Sequence, residues 1–382
     1  WAWSSAACDL NNDGIPELLA SSYGRSPNHL WRGVGGSAMT FTNASVKSGY
    51  AYDHRTDWTT NINAQCYCMD NPKAADCDKC PKPSNPGFCA QLKAAFKGQY
   101  RWQHEYDRRP FRLGGNSGAT VCADIDNDGW IDLLTGEIVH PDVGETSDPT
   151  EVMFNAKDKD VRFDRPGPKA TGITRTTTGD TGDMANAVLD FDNDGWPDLY
   201  IGSSDYPGTT GLLFRQIAPR KFEPVPYDDY FKHNRSAGVV AADFDRDGDL
   251  DLLVGNSRMR CEGTLGADCY PTTQIKLFLN QLGSGNNWLQ ISLTGAGGSN
   301  RSAIGARVSV ETGGVVQTQD VDGGHGHFNT QKDKVLHFGI GAGCDAKVTI
   351  RWPDAKLTKT TLNLAANRRY AITQGQPPKV AD

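Results

Sequence analysis

The sequence predicts an all-β fold in which propeller-type blades precede a small β-sandwich or barrel. An acid-rich nine-residue pattern occurs four times, beginning at Asp9, Asp124, Asp190 and Asp243. Short apolar segments typical of strands precede and follow each copy, and self-similarity over tens of residues indicates a propeller or a solenoid. From about residue 286 the acid pattern stops and alternating apolar and polar residues replace it. That alternation predicts a second, smaller β-domain.

The repeated pattern is clearest in "DIDNDGWIDLL", which begins at Asp124. Acids occupy positions 1, 3, 5 and 9, Gly129 occupies position 6, and the apolar pair Leu133 and Leu134 follows. Acids at positions 1, 3 and 5 followed by glycine also open the calcium loop of an EF-hand, where the glycine permits a sharp turn. An EF-hand adds a glutamate at position 12 and lies between helices, whereas here Asp132 closes the pattern and a strand-like segment follows. The pattern therefore predicts a short oxygen-lined loop between two strands.

Acids packed this closely repel one another, so we expect a cation at each loop, with up to four sites in the chain. Hard oxygen ligands favour Ca²⁺ over Zn²⁺ and Cu²⁺, and Mg²⁺ retains more of its water. Because the loops recur once per blade, we expect the ions to tie strands together and not to catalyse a reaction. Asn11 and Glu17 distinguish the first site from the other three. The predicted ligands are the side chains at positions 1, 3, 5 and 9 and the main-chain carbonyl at position 7: Asp9, Asn11, Asp13, Ile15 and Glu17; Asp124, Asp126, Asp128, Trp130 and Asp132; Asp190, Asp192, Asp194, Trp196 and Asp198; Asp243, Asp245, Asp247, Asp249 and Asp251.

The flanking segments predict one four-stranded blade for each repeat. "HLWR", "EVMFN", "GLLFR" and "KLFLN" supply a further strand, and a lone phenylalanine follows three of them: Phe41, Phe163 and Phe222. The interval between the first and second patterns is too long for one blade. It predicts an insertion at about residues 50–111 within a propeller domain of residues 1–285. The chain opens inside the strand that precedes a loop, so we expect further residues before Trp1.

The cysteines indicate an oxidising compartment, because ten of them occur in one chain. We predict disulfides in the insertion, and zinc bound through Cys77 and Cys80 is the alternative. Five insertion cysteines leave one unpaired, and we expect Cys8 or Cys122 to be its partner. The proline-rich composition predicts a long loop without a helix or strand period. The five insertion cysteines are Cys66, Cys68, Cys77, Cys80 and Cys89.

The insertion is also rich in aromatic residues, and arginines interleave with the last of them. Tyr, Trp and Arg are enriched at binding hot spots, so one hypothesis is that the insertion carries the partner-binding surface. The alternative is that the rings form the small core of a disulfide-bonded subdomain. The aromatic residues are Tyr50, Tyr52, Trp58, Tyr67, Phe88, Phe96, Tyr100, Trp102, Tyr106 and Phe111.

These residues carry two resemblances to known families. The acid loops resemble FG-GAP/VCBS repeats, the calcium-binding blades of integrin-type β-propellers. Residues 286–382 resemble the ASPIC/UnbV domain through "NWLQISLTG", "SNRSAIGARV", "VDGGHGHFNTQ", "LHFGIG" and "IRWPD". The resemblance implies a secreted or surface protein built as a propeller with a β-domain attached.

Composition and motifs narrow the function classes. The net charge of -7 argues against a nucleic-acid partner, and the sequence contains no apolar run long enough for a membrane span. The segment "GGNSGA" at 114–119 departs from the G-x-S-x-G pattern of hydrolases, and H-E-x-x-H does not occur. His325 and His327 are the best transition-metal candidates, and hydrogen bonding within a glycine-rich loop is the alternative.

The sequence therefore predicts a calcium-stabilised binding, adhesion or assembly module without enzymatic activity. We expect it to be secreted or on the cell surface, with the periplasm also open. The expected partner is a protein or a glycan, and self-assembly is included. Two other classes stay open: a carbohydrate- or lipid-cleaving enzyme on a propeller scaffold, and a structural subunit of an extracellular filament or matrix.

Overall fold

The computed structural model describes residues 2–36, 38–112, 114–140, 146–174, 181–226, 231–261, 268–282, 285–324, 326–327 and 332–381. Within these residues the chain forms six sheets, which confirms the all-β prediction. No helix among the described residues is long and apolar enough to cross a membrane.

Sheets 1 to 4 run through consecutive antiparallel strands in chain order. Sheet 1 contains β1 (Ala2–Cys8), β2 (Glu17–Ser22), β3 (His29–Val34) and β4 (Thr40–Asn43). Sheet 2 contains β5 (Ser117–Ala123), β6 (Asp132–Val139), β7 (Glu151–Asn155) and β8 (Phe163–Asp164), and β9 (Thr181–Gly182) pairs with β6. Sheet 3 contains β10 (Asn186–Leu189), β11 (Asp198–Ile201), β12 (Leu212–Ala218) and β13 (Lys221–Pro224). Sheet 4 contains β14 (Ser236–Ala242), β15 (Asp251–Asn256) and β16 (Ile275–Phe278).

The four sheets pack face to face in the manner of propeller blades. Their first strands are neighbours, because β5 contacts both β1 and β10, and β10 contacts β14. Adjacent residues of one strand point to opposite faces, so Leu133 packs towards sheet 1 while Leu134 packs towards sheet 3. Leu199 and Tyr200 divide in the same way between sheets 2 and 4. The apolar pair after each acid pattern is thus explained by a sheet that is covered on both faces.

The acid patterns join the first and second strands of each blade, as predicted. We call them loop 1 (residues 9–17), loop 2 (124–132), loop 3 (190–198) and loop 4 (243–251). The lone phenylalanines lie in β4, β8 and β13, the fourth strands of sheets 1, 2 and 3. In the described part of sheet 4 the last strand is β16.

The insertion is helical, so the prediction of a long loop without regular structure was wrong. Asn61 accepts hydrogen bonds from the amides of Asn63 and Ala64, and Asn85 followed by Pro86 begins a second helix. These caps were visible in the sequence, but the apolar residues of the insertion show no helix period, and its small core is formed by rings from several segments: Trp58, Tyr67, Tyr100 and Trp102. The helices are α1 (Ile62–Asp70), α2 (Pro86–Ala95) and α3 (His104–Asp107), with 3₁₀ turns at Trp58–Thr60, Cys77–Lys79 and Pro110–Arg112; α4 (Pro168–Thr171) lies between sheets 2 and 3.

The disulfides confirm the predicted covalent bonding within the insertion. The prediction that Cys8 or Cys122 bonds to the fifth insertion cysteine was wrong. Cys80 is a free thiol, and Cys8 and Cys122 bond to each other. The fifth insertion cysteine therefore has no partner from outside the insertion. The Cys8–Cys122 bond connects β1 to β5, one residue before loop 1 and two residues before loop 2. The other pairs are Cys66–Cys89, Cys68–Cys77 and Cys261–Cys269, and Cys344 is also free.

The C-terminal region forms two sheets that share one core. Alternate residues such as Val308, Val310 and Ile350 face Leu289 and Phe338 across it, which confirms the predicted period of two. β20 (Gly326–His327) leaves this region and pairs with β1. The placement of the domain boundary between residues 285 and 286 stays a prediction. Sheet 5 contains β21 (Leu336–Gly341), β17 (Asn287–Thr294), β24 (Arg368–Thr373) and β25 (Lys379–Ala381); sheet 6 contains β19 (Val315–Asp320), β18 (Arg307–Thr312), β22 (Asp345–Arg351) and β23 (Lys359–Ala365).

Candidate metal centres in the blade loops

The backbone of each loop is folded by its own acids. In loop 2 the Asp124 carboxylate accepts hydrogen bonds from the amides of Asp128 at 2.9 Å and Gly129 at 3.0 Å. Asn127 adopts a φ of 56° and Gly129 a φ of 83°, a left-handed turn that glycine makes without strain. The amide of Trp130 then donates to Asp128 at 3.0 Å. The glycine at position 6 is therefore required by the turn, as the sequence predicted.

The acid at position 9 joins the loop to the third strand of its blade. One oxygen of Asp132 accepts the Ile125 amide at 2.9 Å, and the other accepts the Asn155 amide at 2.7 Å. Glu17, Asp198 and Asp251 form the corresponding pairs of bonds in their own loops. Position 9 therefore has a structural role in addition to its predicted role as a ligand.

Two sets of side-chain amides, which sequence reasoning missed, connect neighbouring loops. Asn155 donates to the carbonyls of Leu10 at 2.8 Å and Ile131 at 3.0 Å, and so spans loops 1 and 2. Gln216 and Asn280 do the same for loops 2 and 3 and for loops 3 and 4. The residue at position 4 adds a second connection to the next loop: Asn12 donates to Gly129, Asn127 to Gly195 and Asn193 to Gly248. In the sequence, the only indication of these connections is an amide residue near the end of the third strand, Asn155 in "EVMFN" and Gln216 in "GLLFRQ".

The structure brings three of the predicted carboxylates together in each of loops 2, 3 and 4. In each group, one oxygen from every residue lies within 4.8 Å of the others. Asp128, Asp198, Asp247 and Asp249 lie in these loops but outside the groups, and loop 1 forms no such group. The amides of the position 7 residues donate to the acids at position 5 in all four loops. The groups are Asp124, Asp126 and Asp132; Asp190, Asp192 and Asp194; and Asp243, Asp245 and Asp251.

Burial makes these carboxylates unfavourable as bare anions. Loss of water raises the pKa of Asp124 to about 7, and neighbouring carboxylates add to the effect. The same two causes raise the pKa of Asp132, Asp190 and Asp198 well above the ordinary range of an aspartate. A cation within the group would stabilise the charged form, because an opposite charge at a few ångströms lowers a carboxyl pKa.

Unpaired oxygens provide the test of whether a cation fits. The Oδ1 atoms of Asp126, Asp192 and Asp243 are buried and have no hydrogen-bond partner. Each of the three loops whose acids form a group has at least one such oxygen, and loop 2 has a second in Oδ2 of Asp128. A buried acceptor left unsatisfied costs about 1–3 kcal/mol, and more when it is charged. These loops can therefore hold a metal ion through their own carboxylates.

Exposed arginines approach two of these loops. Arg220 contacts Asp126 at 2.5 Å and Arg215 contacts Asp194 at 3.1 Å. Their side chains are 38% and 48% exposed, respectively. Long exposed side chains reorient at little cost, so these arginines do not exclude an ion.

Comparison with known families agrees with this arrangement. Residues 190–254, which contain loops 3 and 4, match the family described as FG-GAP-like repeat. Residues 295–379 match the family described as ASPIC and UnbV. The chain therefore contains one segment that is similar to each of these two families. The resemblance recognised in the sequence is thereby confirmed.

The chain is also similar to cartilage acidic protein 1 from three vertebrates. The human protein is 25% identical over 270 residues, which is 69% of this chain and 36% of the relative. The mouse protein is 26% identical over 254 residues, and the Xenopus tropicalis protein is 25% identical over 245 residues; they cover 63% and 62% of this chain. The chain spans about a third of the length of the curated relatives it matches.

The described residues test one of the two other predicted metal candidates, zinc bound by the insertion cysteines. Cys68, Cys77 and His104 lie close together, but both cysteines are the two halves of one disulfide. Trp102 donates to Nδ1 of His104 at 3.0 Å, which places the ring proton on Nε2, facing the Ala75 carbonyl. The zinc alternative is therefore not supported. The pair His325 and His327 lies outside the residues whose side chains are described.

Proposed function

We propose that this chain is a secreted or cell-surface binding module of the adhesion or matrix type, stabilised by Ca²⁺ in its blade loops. The observation that carries the proposal is the buried, unpartnered carboxylate oxygen in each of loops 2, 3 and 4. Three carboxylates within 4.8 Å supply hard oxygen ligands, which favour calcium over softer metals. We further propose the division into a propeller domain of residues 1–285 and an ASPIC/UnbV domain of residues 286–382.

The extracellular location is supported by the disulfides and by the relatives. Four disulfides form in the structure, and disulfides persist in oxidising compartments. Extracellular fluids also supply calcium at the concentration that weak extracellular sites need. The adhesion or matrix role rests on the FG-GAP-like repeat and on the similarity to cartilage acidic protein 1.

The insertion offers a surface for a protein or glycan partner. Trp102 is buried and packs with Trp58, Tyr67 and Tyr100, so these rings form a small core, as the alternative hypothesis held. Tyr106 is different, because it is 42% exposed and the guanidinium of Arg112 lies 4.5 Å from its ring. An exposed aromatic ring beside arginine is typical of binding hot spots.

A cleft of about 640 Å³ lies between the insertion and sheets 1 and 2, and its lining includes Tyr23, Arg25, Tyr100, Arg101 and Arg112. The cations and rings of this lining are suited to a partner that presents carboxylate or sulfate groups on a protein or sugar chain. We propose binding without catalysis, because the clustered acids of the loops already have structural or ligand roles.

Calcium-dependent stability tests the proposal. Three sites at a hundredfold excess of calcium over the dissociation constant would add about 8 kcal/mol to the free energy of unfolding. We expect excess EGTA to lower the melting temperature strongly, calcium to restore it and magnesium to restore it poorly. Asp192→Asn should weaken the calcium response, whereas Asp78→Asn, the same change on the exposed surface of the insertion, should leave it unchanged. Identical melting curves in EGTA and in calcium would refute calcium stabilisation.

A further inference from the structure

Loop 1 has the same pattern as the other loops but a different set of contacts. The Asp9 carboxylate accepts a hydrogen bond from Nη2 of Arg351 at 2.5 Å. It also accepts hydrogen bonds from the amides of Asp13 and Gly14, both at 3.0 Å. The main-chain oxygen of Asp9 accepts a hydrogen bond from Nη2 of Arg307 at 2.9 Å. Both arginines come from sheet 6 of the ASPIC/UnbV domain, so this domain supplies the positive charge next to Asp9.

Asn11 also changes the chemistry of the loop. Its side-chain Nδ2 donates to the Asp13 carboxylate at 2.9 Å, whereas loops 2 and 3 have an aspartate with an unpaired oxygen at this position. An amide group directed at the position 5 acid places N–H protons where an ion would need oxygen. The ammonium of Lys159 lies 2.8 Å from the Asn11 carbonyl and adds a further positive charge.

No carboxylate oxygen of loop 1 is both buried and unpartnered, in contrast to loops 2, 3 and 4. Both oxygens of Glu17 accept main-chain amides, from Leu10 at 2.8 Å and Gly33 at 3.3 Å, as the position 9 acids of the other loops do, so the difference lies at the other positions of loop 1. The buried acceptor of loop 1 that has no partner is the amide oxygen of Asn12, whose counterpart Asn127 in loop 2 is in the same state, so loop 1 lacks the unsatisfied carboxylate oxygen that supports an ion elsewhere. The residues present do not fit the metal that the FG-GAP family implies at this position.

The arginines of loop 1 are held in place, unlike those near loops 2 and 3. The side chain of Arg351 is 13% exposed and that of Arg307 is 8% exposed, and Arg307 also pairs with Asp320 at 2.7 Å. The side chain of Leu357, also from the C-terminal region, lies so close that a Cβ on Gly14 would be 2.7 Å from it. An ion at Asp9 would have to displace a largely buried guanidinium.

We propose that loop 1 binds no divalent cation and that Arg351 takes the position of the ion. The guanidinium, supported by Arg307, joins the ASPIC/UnbV domain to the first blade through a contact that does not depend on calcium. The chain accordingly binds three calcium ions and not four. This count rests on the proposed function, whereas the junction between Asp9 and Arg351 does not.

Metal analysis of the purified chain tests the count. In equilibrium dialysis against calcium at an extracellular concentration, we expect three ions per chain in the wild type and in Asp9→Asn, and two in Asp190→Asn. A fourth ion in the wild type that is lost in Asp9→Asn would overturn the proposal. A chain that binds no calcium would refute the proposed function and leave the junction to the second experiment.

Thermal denaturation in excess calcium and in excess EGTA tests the junction. Arg351→Ala should lower the melting temperature by a similar amount in both conditions. Arg215→Ala is the matched control: it should have no effect in calcium, where an ion holds loop 3, and should lower the melting temperature in EGTA. If calcium abolishes the effect of Arg351→Ala, an ion can replace this arginine and the proposal is wrong.

A double-mutant cycle covers the case in which Arg351→Ala folds poorly. Arg351→Lys keeps the charge, and in EGTA we expect its melting temperature to fall less than that of Arg351→Ala. The losses caused by Asp9→Asn and Arg351→Lys should not be additive, because each change weakens the same contact. Additive losses in EGTA would contradict direct coupling between the two residues.

Discussion

Breaking the Cys8–Cys122 disulfide should loosen the first two blades and the loops that follow them. Cys8 ends β1 and Cys122 lies in β5, and the bond closes a separation of 114 residues. The chain-entropy relation gives about 4.8 kcal/mol of stabilisation for a loop of that length. The nested Cys66–Cys89 bond, with a separation of 23, shortens the effective loop and reduces the figure to about 4.6 kcal/mol.

The natural control is Cys261–Cys269, which closes a separation of only 8 residues. The same relation gives about 2.5 kcal/mol for it. At about 2 °C per kcal/mol for a chain of this size, we expect Cys8→Ala with Cys122→Ala to lower the melting temperature by about 10 °C. The corresponding change at Cys261 and Cys269 should cost about half as much.

The assay is a thermal scan at saturating calcium, followed by a calcium titration of each variant. Because Cys122 lies two residues before Asp124, we also expect weaker calcium binding at loop 2 in the variant that lacks the Cys8–Cys122 bond. An equal or larger loss of stability in the Cys261 and Cys269 variant would refute the argument from loop length. It would place the stabilising effect in local packing instead.

Three further predictions address the packing of the domains and the insertion. Gly339→Ala should lower the melting temperature sharply, because its Cβ would lie 2.4 Å from the main chain of loop 3, whereas Gly255→Ala, with open space around it, should be tolerated; equal losses in the two variants would argue against close packing there. Burial lowers the pKa of His337 to about 3, so its contribution to stability is present above pH 6.5 and falls as the unfolded state takes up a proton below that pH. The loss should be about 2 kcal/mol at pH 5, and denaturant titrations of His337→Gln should lack that part of the pH dependence; an unchanged difference between pH 7 and pH 5 would contradict this. Tyr106→Ala should weaken self-association or glycan binding without changing the melting temperature, whereas Trp102→Ala should destabilise the insertion; intact binding by Tyr106→Ala in light scattering and glycan-array assays would remove this surface from the proposal.

The acid loops were predictable because the forces that shape them act within nine residues. Asp124 bonds to the amide of Gly129 only five positions ahead, and the left-handed turn at that glycine is a local requirement. The period of two in the C-terminal region was likewise readable, because alternate residues of one strand must face one core. The helical insertion was missed although Asn61 and Asn85 are recognisable caps, since the rings of its small core come from separate segments and not from one helix face.

The amino-acid sequence by itself determined where the acid loops form, which strands flank them, and that the C-terminal region is a separate pattern of strands. Only the tertiary structure decided which loops retain an unsatisfied oxygen for an ion. Arg351 reaches Asp9 across a separation of 342 residues, and Asn155 reaches the Leu10 carbonyl across 145. The physical reason is that charge compensation and hydrogen bonding act over a few ångströms of space, whatever the distance along the chain. Loop 1 and loop 3 share one pattern, yet an arginine from another sheet contacts the first acid of loop 1 while a buried oxygen of loop 3 has no partner.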